Sequence, residues 1–267
     1  MPEGHTIHGI ARTHREAFAG GPVAATSPQG RFGAGAARLS GRTLEAVDAY
    51  GKHLFYRWER RVVLHVHLGL VGKFQTHGVP APAPSPATRL ALSNPDAAAY
   101  LTGPMTCRLI DRSEIALITA RLGPDPLRAH TRVTEFVKRI QGDRRALGAA
   151  LLDQKMIAGI GNVYRSEIPY LCGIDPATAV ADLSGDELAA VWSTARGELR
   201  HGLEDGTIIT VRQRDVGAAR RQSLPNQLRL YAYKRQHQPC LRCRTPIAAT
   251  EIAGRMAWWC PSCQPPR

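Results

Sequence analysis

Two residues at the start of the chain, Pro2 and Glu3, could carry covalent chemistry. If Met1 is removed, Pro2 has a free secondary amine, which can attack an electrophilic carbon and form a Schiff base. Glu3 follows it directly and could transfer protons to the reacting group. An ordinary processed terminus has the same appearance, so the pair alone leaves both interpretations open.

Four cysteines near the other end of the sequence have the spacing of metal ligands. Cys240 and Cys243 form one C-x-x-C pair, Cys260 and Cys263 form a second, and 16 residues separate the pairs. Two such pairs supply four thiolates to a tetrahedral zinc ion with no open position, so we predict one structural zinc ion. Disulfides are the alternative, which the spacing and the absence of an export signal disfavour.

A glycine-rich stretch in the middle of the chain could bind phosphate. Apolar residues at helical spacing precede and follow it, which predicts a tight turn at 159–161 between two helices. Such a turn exposes backbone N–H groups, and we expect Asn162 to cap the second helix while offering its own amide. A helix hairpin that merely packs is the alternative.

The composition favours a polyanionic partner. The 267 residues include 35 Lys and Arg against 22 Asp and Glu, a net charge of +13. Nucleic acid and an anionic membrane surface both fit this charge. The sequence has neither an apolar run long enough to span a membrane nor an export signal, so we expect a cytoplasmic protein.

Hydrophobic periodicity indicates the elements that would position these groups. A helix is predicted from residue 7 to 18, and period-two alternation between 22 and 120 predicts antiparallel sheet with a hairpin at 59–61. Helical spacing resumes at 133–140. Ser184 and Glu187 form a capping box that begins another helix.

Three separated strings together resemble the formamidopyrimidine-DNA glycosylase and endonuclease VIII family, in that family's order and over nearly the full length. They are Pro2-Glu3, the segment 153–168 and the segment 254–261. His5 and Thr6 stand where the common family pattern has Pro and Glu, which favours a subgroup closer to endonuclease VIII.

The resemblance implies an α+β multidomain fold. Residues 1–125 would form an N-terminal antiparallel β-sandwich with a leading helix, which is the catalytic domain. Residues 126–228 would form a helix-two-turn-helix DNA-binding domain, and residues 229–267 a zinc finger with a β-hairpin.

The implied activity is that of a bifunctional DNA glycosylase and apurinic/apyrimidinic lyase of base excision repair. It would remove oxidised bases, pyrimidines in preference, and cleave abasic sites by β,δ-elimination through a Schiff base on Pro2. A non-catalytic protein that binds damaged DNA is one alternative, and a glycosylase specific for oxidised purines is another. A zinc-ribbon protein that binds RNA or a membrane surface would leave the N-terminus unexplained.

The resemblance also implies roles for individual residues. Lys52 and Arg255 would join Pro2 and Glu3 in the catalytic set, since both contact the phosphates or sugar around the lesion. Leu70 would fill the space left by the extruded base, although it could instead be a core residue at a strand end. The remaining candidates for DNA binding are Lys155, Gly159, Gly161 and Asn162.

The expected partner is damaged double-stranded DNA, bound by a monomer in the bacterial cytoplasm and nucleoid. Ten basic residues against two acidic ones between positions 212 and 255 support a DNA-backbone footprint. The segment 206–226 is predicted to be a polar loop.

Overall fold

The computed structural model describes residues 2–217 and 220–266. Its contacts divide the chain into two compact units, Met1–Arg121 and Leu122–Arg267. The first unit is an antiparallel sheet with helices, and the second is helical with a C-terminal β-hairpin, which confirms the predicted α+β fold. Within the described ranges, no helix combines the length and apolarity needed to cross a bilayer.

The described residues of the first unit form eight strands and three helices. In chain order they are α1 (Gly4–Phe18), β1 (Pro22–Thr26), α2 (Gly33–Leu39), β2 (Arg42–Tyr50), β3 (His53–Trp58), β4 (Val63–His67), β5 (Lys73–Gly78), β6 (Thr88–Ser93), β7 (Ala97–Thr102), β8 (Thr106–Ile110) and α3 (Arg112–Ala120).

Strand β1 joins the two halves of the sheet. Its first residues pair with β2, and its last three pair with β6, so that the strand order is β5-β7-β6-β1-β2-β3-β4-β8. A strand that passes from one half to the other lets the halves face each other across a common core. Apolar residues of both halves, among them Leu54, Val66, Leu92 and Leu101, lie in a single buried cluster.

Helix α1 packs on this core because its apolar side chains recur at helical spacing. Ile7, Ala11 and Phe18 are buried in the same cluster as the sheet residues. The predicted helix therefore exists and begins directly after Glu3, which occupies its N-cap position. Packing of α1 fixes the place of the two N-terminal candidate residues.

A buried histidine gives α1 a polar attachment to the sheet. His14 is completely buried, and its two ring nitrogens lie 2.7 Å from the Tyr56 hydroxyl and 3.0 Å from the Thr76 hydroxyl. Both partners belong to strands, β3 and β5 respectively. Burial lowers the pKa of His14 to about 4, so the imidazole is neutral in the folded protein near pH 7.

The second unit contains the following elements: α4 (Val133–Ile140), α5 (Leu147–Leu152), α6 (Tyr164–Cys172), α7 (Gly185–Asp205), α8 (Gln213–Val216), β9 (Ala248–Ile252) and β10 (Arg255–Trp259), with short 3-10 turns at Val180–Asp182 and Asn226–Leu228. The predicted capping box is present at the start of α7, where Ser184 accepts from the Glu187 amide.

The segment 206–226 is more structured than the predicted polar loop. Ile209, Val211 and Leu224 are buried, and they pack in one cluster with Tyr170 and Tyr231. The sequence signal failed here because three apolar side chains scattered among polar ones show no helix or strand period. Ala218 and Ala219 lie outside the described residues.

We predict that His14 makes the stability of the protein fall in mild acid. Its pKa is 6.5 in the unfolded chain and about 4 when folded, so between these values only the unfolded chain gains the proton. Lowering the pH from 7.5 to 5 should therefore remove about 2 kcal/mol of unfolding free energy through this group. Urea unfolding followed by tryptophan fluorescence measures the loss.

The variant His14→Gln should lose correspondingly less stability over the same pH interval, while His130→Gln, at an exposed position, should behave as the parent protein does. An equal acid-dependent loss in His14→Gln and the parent protein would contradict the prediction.

Candidate nucleic-acid interface and metal centre

The N-terminal candidates lie at the start of α1. Pro2 is half-buried, and Glu3 is fully buried, with its carbonyl accepting from the Thr6 and Ile7 amides at 2.9 and 3.2 Å. Full burial is unusual for a glutamate. Met1, whose removal would free the proline nitrogen, lies outside the described residues.

His5 is a packing residue in this structure. Its side chain is 5% exposed, and Nε2 lies 3.1 Å from the Thr6 hydroxyl. Burial, assisted by the positive chain terminus, lowers the pKa of His5 to about 4. His5 is therefore neutral near pH 7, and it offers no positive charge to a DNA backbone.

Lys52 occupies the two-residue turn between β2 and β3, beside a cluster of histidines. His53 pairs with His67 across β3 and β4, and His53 Nδ1 lies 2.9 Å from His65 Nε2. Burial lowers the pKa of His53 to about 3, with further contributions from His67, His65 and Lys52. The pKa of His67 is lowered by burial and then by Lys52, so the lysine charge is close to both rings.

This histidine cluster was not predicted from the sequence. The signal that could have found it is the spacing of His65 and His67, which places both on one face of β4, together with the turn that returns His53 to the same place. Two of its rings, those of His53 and His67, lie near the Lys52 charge and are themselves uncharged near pH 7.

Leu70 lies in the loop between β4 and β5 and is 63% exposed, so it is not a core residue at a strand end. Its neighbour Val71 is 80% exposed, and Met105, on the loop between β7 and β8, is 69% exposed. The two loops are adjacent, since a Cβ added to Gly69 would lie 2.9 Å from the Met105 Cβ. Three large apolar side chains are thus exposed to water at one end of the sheet, and exposed apolar patches are typical of binding surfaces.

The connection between α5 and α6 is longer than the predicted tight turn. It spans residues 153–163, and Gly159, with φ +94°, supplies only one of its bends. Asn162 does not cap α6, whose N-cap residue is Val163. The prediction of a cap was wrong because the Asn162 Oδ1 accepts no hydrogen bond from the first amides of α6, and its side-chain nitrogen faces the Met256 carbonyl instead.

Gln154 holds this connection together, and the sequence reasoning did not identify it. Its Nε2 donates to the carbonyls of Leu152 and Ile160, both at 2.9 Å, and its Oε1 accepts from the Gly159 amide at 3.0 Å. The Gly159 amide is therefore engaged within the connection. Because Gly159 has no side chain, a DNA backbone could still approach it closely. Its N–H group, however, already donates to Gln154 and is not offered to a phosphate.

The other predicted DNA-binding residues occupy different parts of the same connection. Lys155 is exposed, and its carbonyl accepts from Arg139 Nη1 at 2.8 Å. Gly161 is buried next to Asn162. The Asn162 amide approaches the Met256 carbonyl only at 3.5 Å, a long contact.

Arg255 begins β10, directly after the turn Ala253-Gly254, in which both residues have positive φ. It pairs with Ile252 across the hairpin, and its side chain is exposed. The structure thus brings the Asn162 amide to 3.5 Å from the carbonyl of Met256, the residue after Arg255.

Two buried charged residues at the start of α6 hold this hairpin and the segment before it. The Arg165 guanidinium donates to the Ile252, Arg255 and Met256 carbonyls at 3.1, 2.6 and 2.7 Å. Glu167 accepts from three consecutive amides, 231–233, each at 2.8 Å, and from the Thr210 hydroxyl. Neither residue was singled out from the sequence, because their charges predicted exposure.

The four predicted cysteine ligands converge. Their sulfur atoms all lie within 4.8 Å of one another, with Cys243 Sγ 3.4 Å from Cys260 Sγ and 3.5 Å from Cys263 Sγ. A tetrahedral zinc ion with bonds of about 2.3 Å requires sulfurs roughly 3.8 Å apart, so the arrangement fits. The site holds a structural zinc ion, and the hairpin β9–β10 lies between its two ligand pairs.

The basic segment 212–255 offers fewer charges to a partner than its composition suggested. Arg212 bonds Glu198, and Arg242 bonds Asp215 while lying over two tyrosine rings. Arg235 is buried, with its guanidinium on main-chain carbonyls. Besides Arg242, which is exposed but paired, the exposed basic residues of the segment are Arg214, Arg220, Lys234, Arg244 and Arg255.

Family profiles match most of the sequence. The formamidopyrimidine-DNA glycosylase N-terminal domain matches residues 1–112, the H2TH domain of the same enzymes matches residues 122–213, and the zinc finger found in FPG and IleRS matches residues 238–266. The three matches fall in the order expected from the motifs.

Individual relatives extend the match over the whole chain. Endonuclease 8 1 of Mycobacterium tuberculosis is 42% identical over 269 residues, which cover 99% of this chain and 100% of that protein. The formamidopyrimidine-DNA glycosylase of Thermus thermophilus is 31% identical over 237 residues, 85% of each chain. A solved complex of Lactococcus lactis Fpg with DNA containing an abasic site is 22% identical, covers 99% of this chain and 100% of its own, and superposes with a TM-score of 0.80. The chain therefore belongs to the formamidopyrimidine-DNA glycosylase and endonuclease VIII family, the base-excision-repair DNA glycosylases with apurinic/apyrimidinic lyase activity.

Proposed function

We propose that the protein excises oxidised bases from double-stranded DNA through a Schiff base on Pro2 and then cleaves the strand by β,δ-elimination. The observation that carries this proposal is the fully buried carboxylate of Glu3, one residue after the proline and at the N-terminus of a helix packed on the core. A carboxyl group at this position, next to an amine nucleophile, suits proton transfer better than it suits packing.

The reaction would begin at the anomeric carbon of the damaged nucleotide. The Pro2 nitrogen attacks the anomeric carbon, the glycosidic bond breaks, and the base leaves with the bonding electrons and a proton. Opening of the sugar ring gives an iminium ion between enzyme and sugar. Loss of a proton next to the iminium expels the 3′ phosphate, a second elimination expels the 5′ phosphate, and water releases the enzyme.

Lys52 would bind a phosphate or the sugar of the damaged nucleotide. Its charge acts on His53 and His67, so it lies at the end of the strands where the loop bearing Leu70 begins. A lysine is a compact charge suited to phosphate, and the neutral rings beside it do not compete as cations.

Leu70 would enter the base stack when the damaged nucleotide is turned out of the duplex. Val71 and Met105 enlarge the same apolar patch. Insertion of such side chains offsets part of the few kcal/mol that unstacking costs, which explains their exposure.

The second unit would bind the DNA backbone through Asn162 and Arg255. Solved relatives of the same fold carry abasic or formamidopyrimidine-containing DNA, and the long contact of the Asn162 amide leaves it able to turn to a phosphate. Lys155 and the backbone at Gly159 and Gly161 would border this contact.

Oxidised pyrimidines are the proposed preferred lesions. The support is the higher identity to the protein named Endonuclease 8 1, 42%, than to the formamidopyrimidine-DNA glycosylases, 31–33%. A panel of duplexes with oxidised pyrimidines, oxidised purines and abasic sites would rank the substrates.

The test of the nucleophile is trapping by borohydride on abasic DNA. Reduction of the iminium should link the protein covalently to DNA, whereas an N-terminal extension that blocks Pro2, or Pro2→Gly, should abolish or weaken the product on a denaturing gel. In the same preparation, Glu3→Gln should slow base excision at least about 100-fold under single-turnover conditions, because proton transfer contributes that much.

The matched control is Pro86→Gly, in an exposed loop, which should be trapped as the parent protein is. Undiminished trapping after the N-terminus is blocked would refute the role of Pro2.

The wedge role of Leu70 predicts a substrate-dependent defect. Leu70→Ala should slow excision from a duplex about tenfold, since unstacking loses a compensating contact, and it should leave cleavage of a single-stranded abasic oligonucleotide unchanged. Leu117→Ala removes an equally exposed leucine, on α3, and should alter neither rate. A defect of the same size on both substrates would argue against a wedge.

Loss of the zinc ion should remove DNA binding. Cys243→Ser takes away one ligand, so the hairpin that carries Arg255 loses its support, and fluorescence anisotropy should show at least about tenfold weaker binding with zinc content reduced. Cys172→Ser changes a thiol outside the cluster and should retain both properties. Normal affinity in a zinc-free protein would contradict this expectation.

A further inference from the structure

Arg165 is a buried guanidinium whose hydrogen bonds go to main-chain carbonyl oxygens. Its side chain is completely buried, and besides the three hairpin carbonyls it reaches the Gly148 carbonyl at the start of α5 at 3.4 Å. Burial of a guanidinium costs free energy, and its hydrogen bonds to the carbonyls compensate for that cost. The planar fork of donors allows one side chain to bind several carbonyls at fixed angles.

Arg165 binds carbonyls on both strands of the hairpin. Ile252 and Arg255 flank the turn Ala253-Gly254 on opposite strands, so Arg165 holds both legs of the hairpin at the base of its tip. Ser166, the next residue of α6, contacts the hairpin at a longer distance, with its Oγ 3.5 Å from the Trp258 amide nitrogen. Arg165 makes two short bonds to this end of the hairpin, to the Arg255 and Met256 carbonyls.

The same guanidinium also binds a carbonyl that Asn162, the candidate for phosphate binding, approaches. The Met256 carbonyl accepts from Arg165 Nη2 at 2.7 Å and lies 3.5 Å from the Asn162 amide. Arg165 and Asn162, three residues earlier in the chain, thus approach the same carbonyl, that of the residue after Arg255.

We propose that Arg165 is a positioning residue that sets the place of Arg255 relative to Asn162, so that the two side chains can bind DNA phosphates together. This inference rests on the proposed function of Arg255. Because Arg165 is buried, it acts on DNA through Arg255 and makes no contact of its own. Its effect must therefore disappear once the Arg255 side chain is gone.

A double-mutant cycle tests that dependence. The probe is a duplex with a tetrahydrofuran abasic analogue, and anisotropy gives the dissociation constant at several salt concentrations. Arg255→Ala and Arg165→Met should each weaken binding about tenfold and lower the salt slope by about one, as loss of one phosphate contact does. The double variant should bind within about twofold of Arg255→Ala.

Arg235→Met is the matched control. Arg235 is also buried and donates to main-chain carbonyls, of Tyr231 and Pro239, both at 3.0 Å, but not to the hairpin. Its effect should add to that of Arg255→Ala. Zinc content and melting temperature verify folding, and if Arg165→Met fails to fold, Arg165→Lys, which keeps the charge without the fork, takes its place in the cycle.

The outcomes separate the inference from the function on which it rests. If Arg255→Ala leaves affinity and salt slope unchanged, the proposed phosphate contact of Arg255 is wrong. If Arg255→Ala weakens binding but the Arg165 variant either binds normally or adds its full loss in the double variant, the positioning role of Arg165 is wrong. Coupling to Arg255 that Arg235 does not show supports it.

Discussion

The C-terminal part of this protein depends on two buried charges at the start of α6. Arg165 binds carbonyls of the hairpin, and Glu167 binds amides of the segment that leads into the zinc finger. A segment of this size buries too little apolar surface to fix its own position, and zinc organises only its interior. Ionic hydrogen bonds to backbone groups are directional, so they define where the finger lies on the helix.

In the N-terminal unit, hydrogen bonds between neutral groups attach a helix to the sheet. Burial keeps His14 uncharged, so it bonds two hydroxyls and attaches α1 to the sheet without the cost of a buried cation. The candidate catalytic residues then lie at an end of a helix and at turns between strands, where a rigid scaffold supports exposed chemistry. Rigidity matters because a nucleophile must be held close to the atom it attacks.

Charge in this protein serves structure as well as partner binding. Several arginines of the basic segment bond carboxylates or carbonyls inside the second unit, as Arg212 does with Glu198. The net charge of +13 therefore sets the long-range attraction for a polyanion, whereas the short-range contacts come from fewer side chains. A count of charged residues along the sequence therefore measures the long-range attraction but overestimates the number of short-range contacts.

The sequence by itself determined the elements and the metal ligands, since periodicity and the C-x-x-C spacing are local properties: α1, the strands around residue 60, α4, the capped α7 and the four cysteines follow from it. Only the tertiary structure decided which polar groups are buried. Arg165, Glu167 and Gln154 carry no local signal, because their partners are backbone groups that folding brings near. For the same reason Asn162 was expected to cap its own helix, whereas the structure turns its amide toward a strand more than ninety residues away.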